Sequence, residues 1–200
     1  TEQEHVLVGE YSGLSSMVLG PQYHYVFNPS SGNSSIADST GWFVKNYPDK
    51  LSNMVVVYQE GPQADLTKNM FVSLLTPFGV TPDYVTYPAG TADLSAVGTK
   101  IVSLNPTSLV VLGQGDLDAA NVYKAAWQAG YQGLMFSPVT PPVEVLSTVL
   151  PVEALEGFVC GAWPTDFEPA QTEAAQEFKA AWIAKYGSWA GTNTASTSYY

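Results

Sequence analysis

The residues best placed to do chemistry are Gly113-Gln114-Gly115-Asp116. They follow an apolar run, Leu109 to Leu112, and precede a helical pattern, so they form half of a dinucleotide-binding fingerprint. The full pattern needs a third glycine at position 118, where this chain has Asp118. An acid at that helix start repels a pyrophosphate. The glycine pair therefore reads as a tight strand-to-helix turn. Asp116 and Asp118 read as helix caps, with a cleft-facing carboxylate as the alternative for Asp116. Glu60 and Asp65 flank a second loop of the same kind. They read as solvated carboxylates or, for Glu60, as a ligand-facing group.

Catalytic constellations do not emerge elsewhere. His5 and His24 are the only histidines. Cys160 is the only cysteine and sits among apolar residues, as a core thiol would. No pair of Cys, His, Asp or Glu has metal-ligand spacing, so neither a metal nor a cofactor is expected. There is no G-x-S-x-G elbow and no Walker loop. Trp42, Trp127 and Trp182 fall at helical core spacing, while Trp163 and Trp189 sit in loops and read as packing between lobes, with contact to a ligand as the alternative. An enzyme is not expected.

Composition narrows the partners. The chain has 200 residues, 46% of them hydrophobic, which is enough for a real core. It carries 18 acidic against 7 basic residues, a formal charge of -11. A nucleic-acid surface needs a basic patch, and so does attachment to anionic lipid; neither partner is expected. One cysteine excludes an internal disulfide but leaves the compartment open. No apolar run approaches the ~20 residues of a membrane helix. The start, TEQEHVLVGEY, looks like neither a targeting segment nor a natural beginning, and Tyr199-Tyr200 follow directly on a possible helix start. The expectation is a fragment cut at both ends.

The elements that must hold these loops alternate. Val6 to Val8 and Tyr23 to Phe27 read as short strands, with a turn cluster at Asn28 to Asn33. A helix is expected from Ser34 to Tyr47, with Ile36, Phe43 and Val44 inward, ending at Pro48. Met54 to Tyr58 is a strand. Gln63 to Phe78 is a helix with Leu66, Met70, Phe71, Leu74 and Leu75 on one stripe, its last turn disturbed by Pro77. Val80 to Tyr87 is a strand whose start Pro82 delays. Asp93 caps a helix from Leu94 to Leu104. Leu109 to Leu112 is continuous and apolar, as a strand buried on both faces should be. Its helix places Leu117, Ala120, Tyr123, Ala126 and Trp127 on one face and stops at Gly130. Leu134 to Phe136, a turn or two of helix at Glu144 to Val149, a strand at Gly157 to Gly161 and an amphipathic helix from Glu168 to Tyr186 complete the chain. In that last helix Phe178, Ala181, Trp182 and Tyr186 are expected to face in.

Strand and helix alternate with short connections from 53 to 136. That predicts an α/β fold: an open, mostly parallel, doubly wound sheet with helices on both faces. The loops after the strands, Gln59 to Asp65, Gly113 to Asp116 and Ser137 to Pro141, should then share one edge.

The order of these motifs resembles type I periplasmic binding proteins, and in particular the branched-chain amino-acid receptors of ABC transporters. The residues that carry the resemblance are Tyr23 to Asn46, Asn53 to Val80, the segment Tyr87-Pro88-Ala89-Gly90-Thr91-Ala92-Asp93-Leu94-Ser95, the strand from Pro106 to Gly113 and the helix end from Ala126 to Gly130. The resemblance implies a remnant of a first lobe and a hinge crossing at 1–28, a second α/β lobe at 29–160, and a crossing with a return to the first lobe at 161–200. It implies a small polar solute, an amino acid or a related amide or organic acid, held between lobes. It also implies an extracytoplasmic location, periplasmic or at the cell surface, a signal peptide in the full-length gene, and a membrane permease as partner. Most of the first lobe would lie outside this chain. Carried over by position, the ligand-binding residues are Gln59, Glu60 and Gln63, then Gln114, Gly115 and Asp116, then Pro138, Val139 and Thr140. Amino-acid binders of the family usually carry an aromatic residue where this chain has Gly115, and an acid near Val139. Their replacement here implies a roomier pocket or another solute, with Glu60 or Asp116 as the counter-charge for an ammonium. Two other readings share the fold class: the effector-binding core of a regulator, which a basic DNA-binding segment would mark, and a doubly wound enzyme, which a phosphate loop or a nucleophile-base pair would mark.

Overall fold

The computed structural model describes residues 8–9, 24–27, 32–112, 115–138, 143–161 and 173–187. Gly113, Gln114, Val139, Thr140, His5, Trp163 and Trp189 lie outside the described residues. So do most of the turn cluster at 28–33, the start of the last helix at 168–172, the possible helix start before Tyr199, and all of the crossing and return at 161–200 except 161 and 173–187. The chain divides into two compact units, one of residues 1–34 with 162–200 and one of residues 35–161.

The larger unit is a five-stranded parallel sheet. Its strands are β3 (Met54–Gln59), β4 (Asp83–Tyr87), β5 (Ser108–Leu112), β6 (Leu134–Ser137) and β7 (Val159–Cys160). They lie in the order β4-β3-β5-β6-β7, and every neighbouring pair is parallel. β3 and β5 can be continuously apolar because neither of their faces meets water. Side chains alternate across a strand. Val55, Val57, Leu109, Val111, Met135, Val85 and Tyr87 enter one core, and Met54, Val56, Tyr58, Val110, Leu112 and Phe136 enter the other.

Each core has its own helices. On the first face lie α3 (Ser95–Ser103), α4 (Asp116–Gln128), α5 (Val143–Val149) and α6 (Val152–Leu155). On the second lie α1 (Gly32–Asn46), which contributes Phe43 and Val44, and α2 (Pro62–Leu75), which contributes Phe71 and Leu75. The Phe43 ring stacks on that of Phe136 at 4.1 Å with 4° between planes, which ties α1 to β6. Truncating either ring would cost about 3–5 kcal/mol in cavity and lost transfer energy. On the first face α3 and α4 meet backbone to backbone. A Cβ at Gly98 would lie 2.2 Å from the Ala125 carbonyl oxygen.

Several inward assignments shift. Leu117 is 56% exposed, because the buried face of α4 runs through Ala119, Ala120, Val122, Tyr123, Ala125 and Ala126 instead. Trp42 is also more than half exposed, and Leu66 lies at the rim of its helix stripe. Gly79 in the left-handed region ends a 3-10 turn at Thr76–Phe78, where Pro77 stops the α-helix early. Asp93 accepts the Ser95 N–H at 2.9 Å, one position outside the helix cap at Leu94.

The two ends of the sheet are finished differently. At the amino ends, side chains satisfy the carbonyls: Ser108 Oγ donates to Lys50 O at 2.6 Å, and Asn53 Nδ2 donates to Leu104 O and Asn105 O. Near the carboxyl ends the buried Tyr123 hydroxyl bridges β5 and β6, past the last paired residues Val110 and Phe136. It accepts the Val111 N–H at 3.1 Å and donates to Phe136 O at 2.7 Å, so both backbone groups are satisfied.

The smaller unit contains a parallel pair, β1 (Val8–Gly9) with β2 (Val26–Phe27), and the helix α7 (Glu173–Tyr186). In α7 Phe178 is buried and Trp182 half-buried, their rings 5.8 Å apart, while Ala181 and Tyr186 are exposed.

The contact at Gly98 yields a test. Gly98→Ala must push α3 away from α4, because the opposing atom is backbone and cannot rotate aside. We expect a loss of about 1–3 kcal/mol. Thermal unfolding measures it, and a Tm within about 1 °C of wild type would refute the backbone contact.

Candidate functional site

The strand order has a reversal built into it. From β3 the chain moves out to β4, then returns past β3 to β5. α2, which follows β3, packs on one face, and α4, which follows β5, packs on the other. The loops leaving β3 and β5 therefore part company at the carboxyl edge, and the crevice between such loops is where open α/β sheets bind ligands.

Each loop is short and enters a helix directly. Gln59 ends β3 and pairs with Tyr87. Glu60 is exposed, with its N–H donated to Tyr87 O at 2.8 Å and its Oε1 accepting Thr86 Oγ1 at 3.0 Å. Gly61 follows at φ 146°, a conformation that requires glycine, and Pro62 and Gln63 open α2. On the other side Gly115 is the N-cap of α4, and Asp116 is its first residue. Both N-caps, Gly61 and Gly115, are glycines and so have no side chain with which to cap their helices.

Asp118, in the first turn of α4, is tied across to β4. Its Oδ2 accepts the hydroxyl of Tyr87 at 2.6 Å. Tyr87 is 2% exposed, and burial together with this carboxylate pushes its phenol far above the usual range. Asp116 is exposed as a residue, yet its carboxyl is partly desolvated and held above the ordinary carboxylate range. Carboxyls perturbed in this way cluster at functional sites.

Gly115 departs from the turn reading. Its φ of -160° is open to any residue, and a Cβ there would meet nothing within 4 Å. Neither the backbone nor packing demands glycine, so the missing side chain leaves space in front of the helix.

The third loop begins at Pro138, which is buried. Its carbonyl accepts Ser39 Oγ at 2.9 Å, and Gly161 packs so closely that a Cβ would lie 2.8 Å from that same oxygen. Pro138 is thus held against α1 and against Gly161, the residue after β7. Among the described residues, the carboxyl edge brings together Gln59, Glu60, Gln63, Gly115, Asp116 and Pro138. The Thr86-Tyr87 pair that ties two of the loops together was missed by sequence reasoning, because nothing in the spacing of 60, 87 and 118 announces a contact. Among the described residues no group of three His, Cys, Asp or Glu side chains could hold a metal ion, and no helix is long and apolar enough to cross a membrane. Concavities of about 440 Å3 at the amino ends of β5 and β6, and about 420 Å3 between α3 and α4, contain none of these loop residues.

Two measurements check this geometry. Gly115→Ala should leave stability unchanged or raise it by about 0.4–1 kcal/mol, whereas Gly61→Ala should lower it by about 1–3 kcal/mol through backbone strain; equal losses at both would overturn the assignment. The second concerns Asp116. Its folded-state pKa is raised, so its contribution is fully present below the unfolded value and is lost as pH rises through the folded value. Wild type should therefore lose stability relative to Asp116→Asn between about pH 3 and pH 7. A difference in Tm that stays flat over this range would contradict the desolvated carboxyl.

Comparison with known proteins fits this architecture. The curated proteins gave no match. Solved structures did. The leucine binding protein LivK from Thermotoga maritima is 22% identical with a TM-score of 0.70, over 94% of this chain and 52% of that one. An amino acid ABC transporter substrate-binding protein from Pseudomonas fluorescens is 14% identical with a TM-score of 0.76, over 93% and 50%. An ABC transporter solute binding protein from R. palustris, solved in complex with benzoate, is 20% identical with a TM-score of 0.61, over 82% and 44%. At these identities the likeness is one of fold, and this chain spans about half the length of those structures. The family model for periplasmic binding proteins matches residues 1–200, and the chain belongs to that family.

Proposed function

We propose that this chain supplies the second lobe of a solute-binding receptor of an ABC uptake transporter. Its carboxyl edge would be one wall of the ligand cleft, and the opposing first lobe of the intact receptor the other. Periplasmic binding proteins are a standard case of hinge closure around a ligand, and binding of this kind involves no bond chemistry. The observation that carries the reading is the pair of exposed carboxylates, Glu60 and Asp116, on the two loops that diverge at the reversal of strand order. Two acids on one wall favour a solute that offers an ammonium or amide N–H to this side, and the backbone N–H groups at the start of α2 can receive a carbonyl oxygen. An amino acid, or a related amide or organic acid, has this mixture of groups. Leucine and benzoate, named for two of the similar structures, are carboxylates of that size. The space before Gly115 suits a solute bulkier than the smallest amino acids. Gln59, Gln63, Gln114, Val139 and Thr140 complete the proposed wall beside Glu60, Gly115, Asp116 and Pro138. The receptor would act in the periplasm or at the cell surface and deliver its solute to a membrane permease.

A thermal-shift screen of the full-length protein tests this reading. The compounds are the L-amino acids, their amides and small organic acids including benzoate. One class should raise the Tm in a saturable way, by about 2.7 kcal/mol of stabilisation at one hundred times its dissociation constant. Glu60→Ala and Asp116→Ala should each weaken that class about tenfold or more. Failure of every compound on intact protein would overturn the receptor reading.

A further inference from the structure

We propose that Thr86 and Tyr87 are the positioning residues of this site, a yoke that holds Glu60 and Asp116 in fixed relation before any solute arrives. The inference rests on the reading of the carboxyl edge as a ligand wall.

Three hydrogen bonds converge on this dipeptide. Thr86 Oγ1 donates to Glu60 Oε1 at 3.0 Å, the Glu60 N–H donates to Tyr87 O at 2.8 Å, and the Tyr87 hydroxyl donates to Asp118 Oδ2 at 2.6 Å. Glu60 and Asp118 belong to different strand-loop-helix units, and no other hydrogen bond is needed to link them. The topology makes this possible. β4 pairs with β3, so the Tyr87 backbone reaches the loop after β3. The Tyr87 side chain lies on the sheet face that α4 covers, so its hydroxyl reaches the first turn of that helix.

The consequence for Asp116 follows from helix geometry. Residues 116 and 118 lie about 200° apart around the helix axis. With Asp118 drawn to the buried Tyr87, the first turn cannot rotate, and Asp116 is held on the opposite, exposed side. Thr86 does the same for the Glu60 carboxylate from below. A wall organised in advance spares the solute the cost of ordering it. Two residues that need not touch the solute thereby set its affinity.

A merely structural role predicts something different, and two measurements on full-length protein separate the accounts. In the ligand-free protein, Tyr87→Phe should speed amide exchange at Glu60 as well as at Ala119, whose N–H bonds back to Gly115 O. Asp118→Asn keeps an acceptor for the phenol and should change both amides less. The second measurement uses the screening compounds, with L-leucine and benzoate as reference probes. Thr86→Val, at an exposed position, should leave the Tm within about 1 °C. It should weaken the compound that stabilises wild type by about three- to tenfold, with recovery in Thr86→Ser and no further effect in a Glu60→Ala background. The yoke is overturned if exchange rises only within α4, or if Thr86→Val binds as wild type while Glu60→Ala does not. If Glu60→Ala and Asp116→Ala both bind as wild type, the ligand wall itself is wrong. Should no compound bind, the receptor reading falls, and the exchange measurement alone decides whether the two loops are coupled.

Discussion

Met54 to Tyr58 and Leu109 to Leu112 are apolar at every position because each of these strands is covered on both faces. Water is excluded from both sides of the sheet centre only if helices lie above and below it. Parallel strands meet that demand, since each connection must cross the sheet and does so as a helix. Val55, Val57, Leu109 and Val111 fill one core, while Val56, Tyr58, Val110 and Leu112 fill the other. A polar residue in this alternation would open one face or the other. The rest of the larger unit depends on this division.

Parallelism also sorts function from stability. All carboxyl ends of the strands point one way, so the loops that follow them collect at one edge. There lie exposed acids and an open space at Gly115. At the other edge Ser108 and Asn53 spend their hydrogen-bonding capacity on backbone carbonyls. The raised pKa of Asp116 belongs to the same contrast, because a carboxyl held in a partly desolvated place weakens the fold at neutral pH. Groups kept under such conditions are usually kept for what they bind.

The strands and helices were legible where burial leaves a pattern. The continuous run at Val55 to Val57, the stop at Gly130 and the break at Pro77 each has a local physical cause, and each appears where it was expected. Leu117, Trp42, Ala181 and Tyr186 were misread because helical spacing fixes which residues share a face, not how far the neighbouring element extends over it. The candidate site was legible as a set of loops but not as contacts. The bond from Tyr87 to Asp118 depends on the approach of β4, which follows from strand order rather than from sequence spacing.

The strand order has a further consequence, for solubility. An open sheet ends in rows of backbone N–H and C=O groups that can recruit a strand from another molecule. Here the outermost described strands are β4 and β7, of five and two residues. β4 is preceded by Pro82, which has no N–H to offer, and begins with the exposed Asp83. Its exposed aromatic, Tyr84, lies against Lys68, whose ammonium is 5.6 Å from the ring centre. A foreign strand arriving at this edge would find a short ladder with a charge at its start and an ammonium over its aromatic ring. The features that make β4 a poor template for aggregation lie at its start, while its final two residues bond to Glu60 and Asp118.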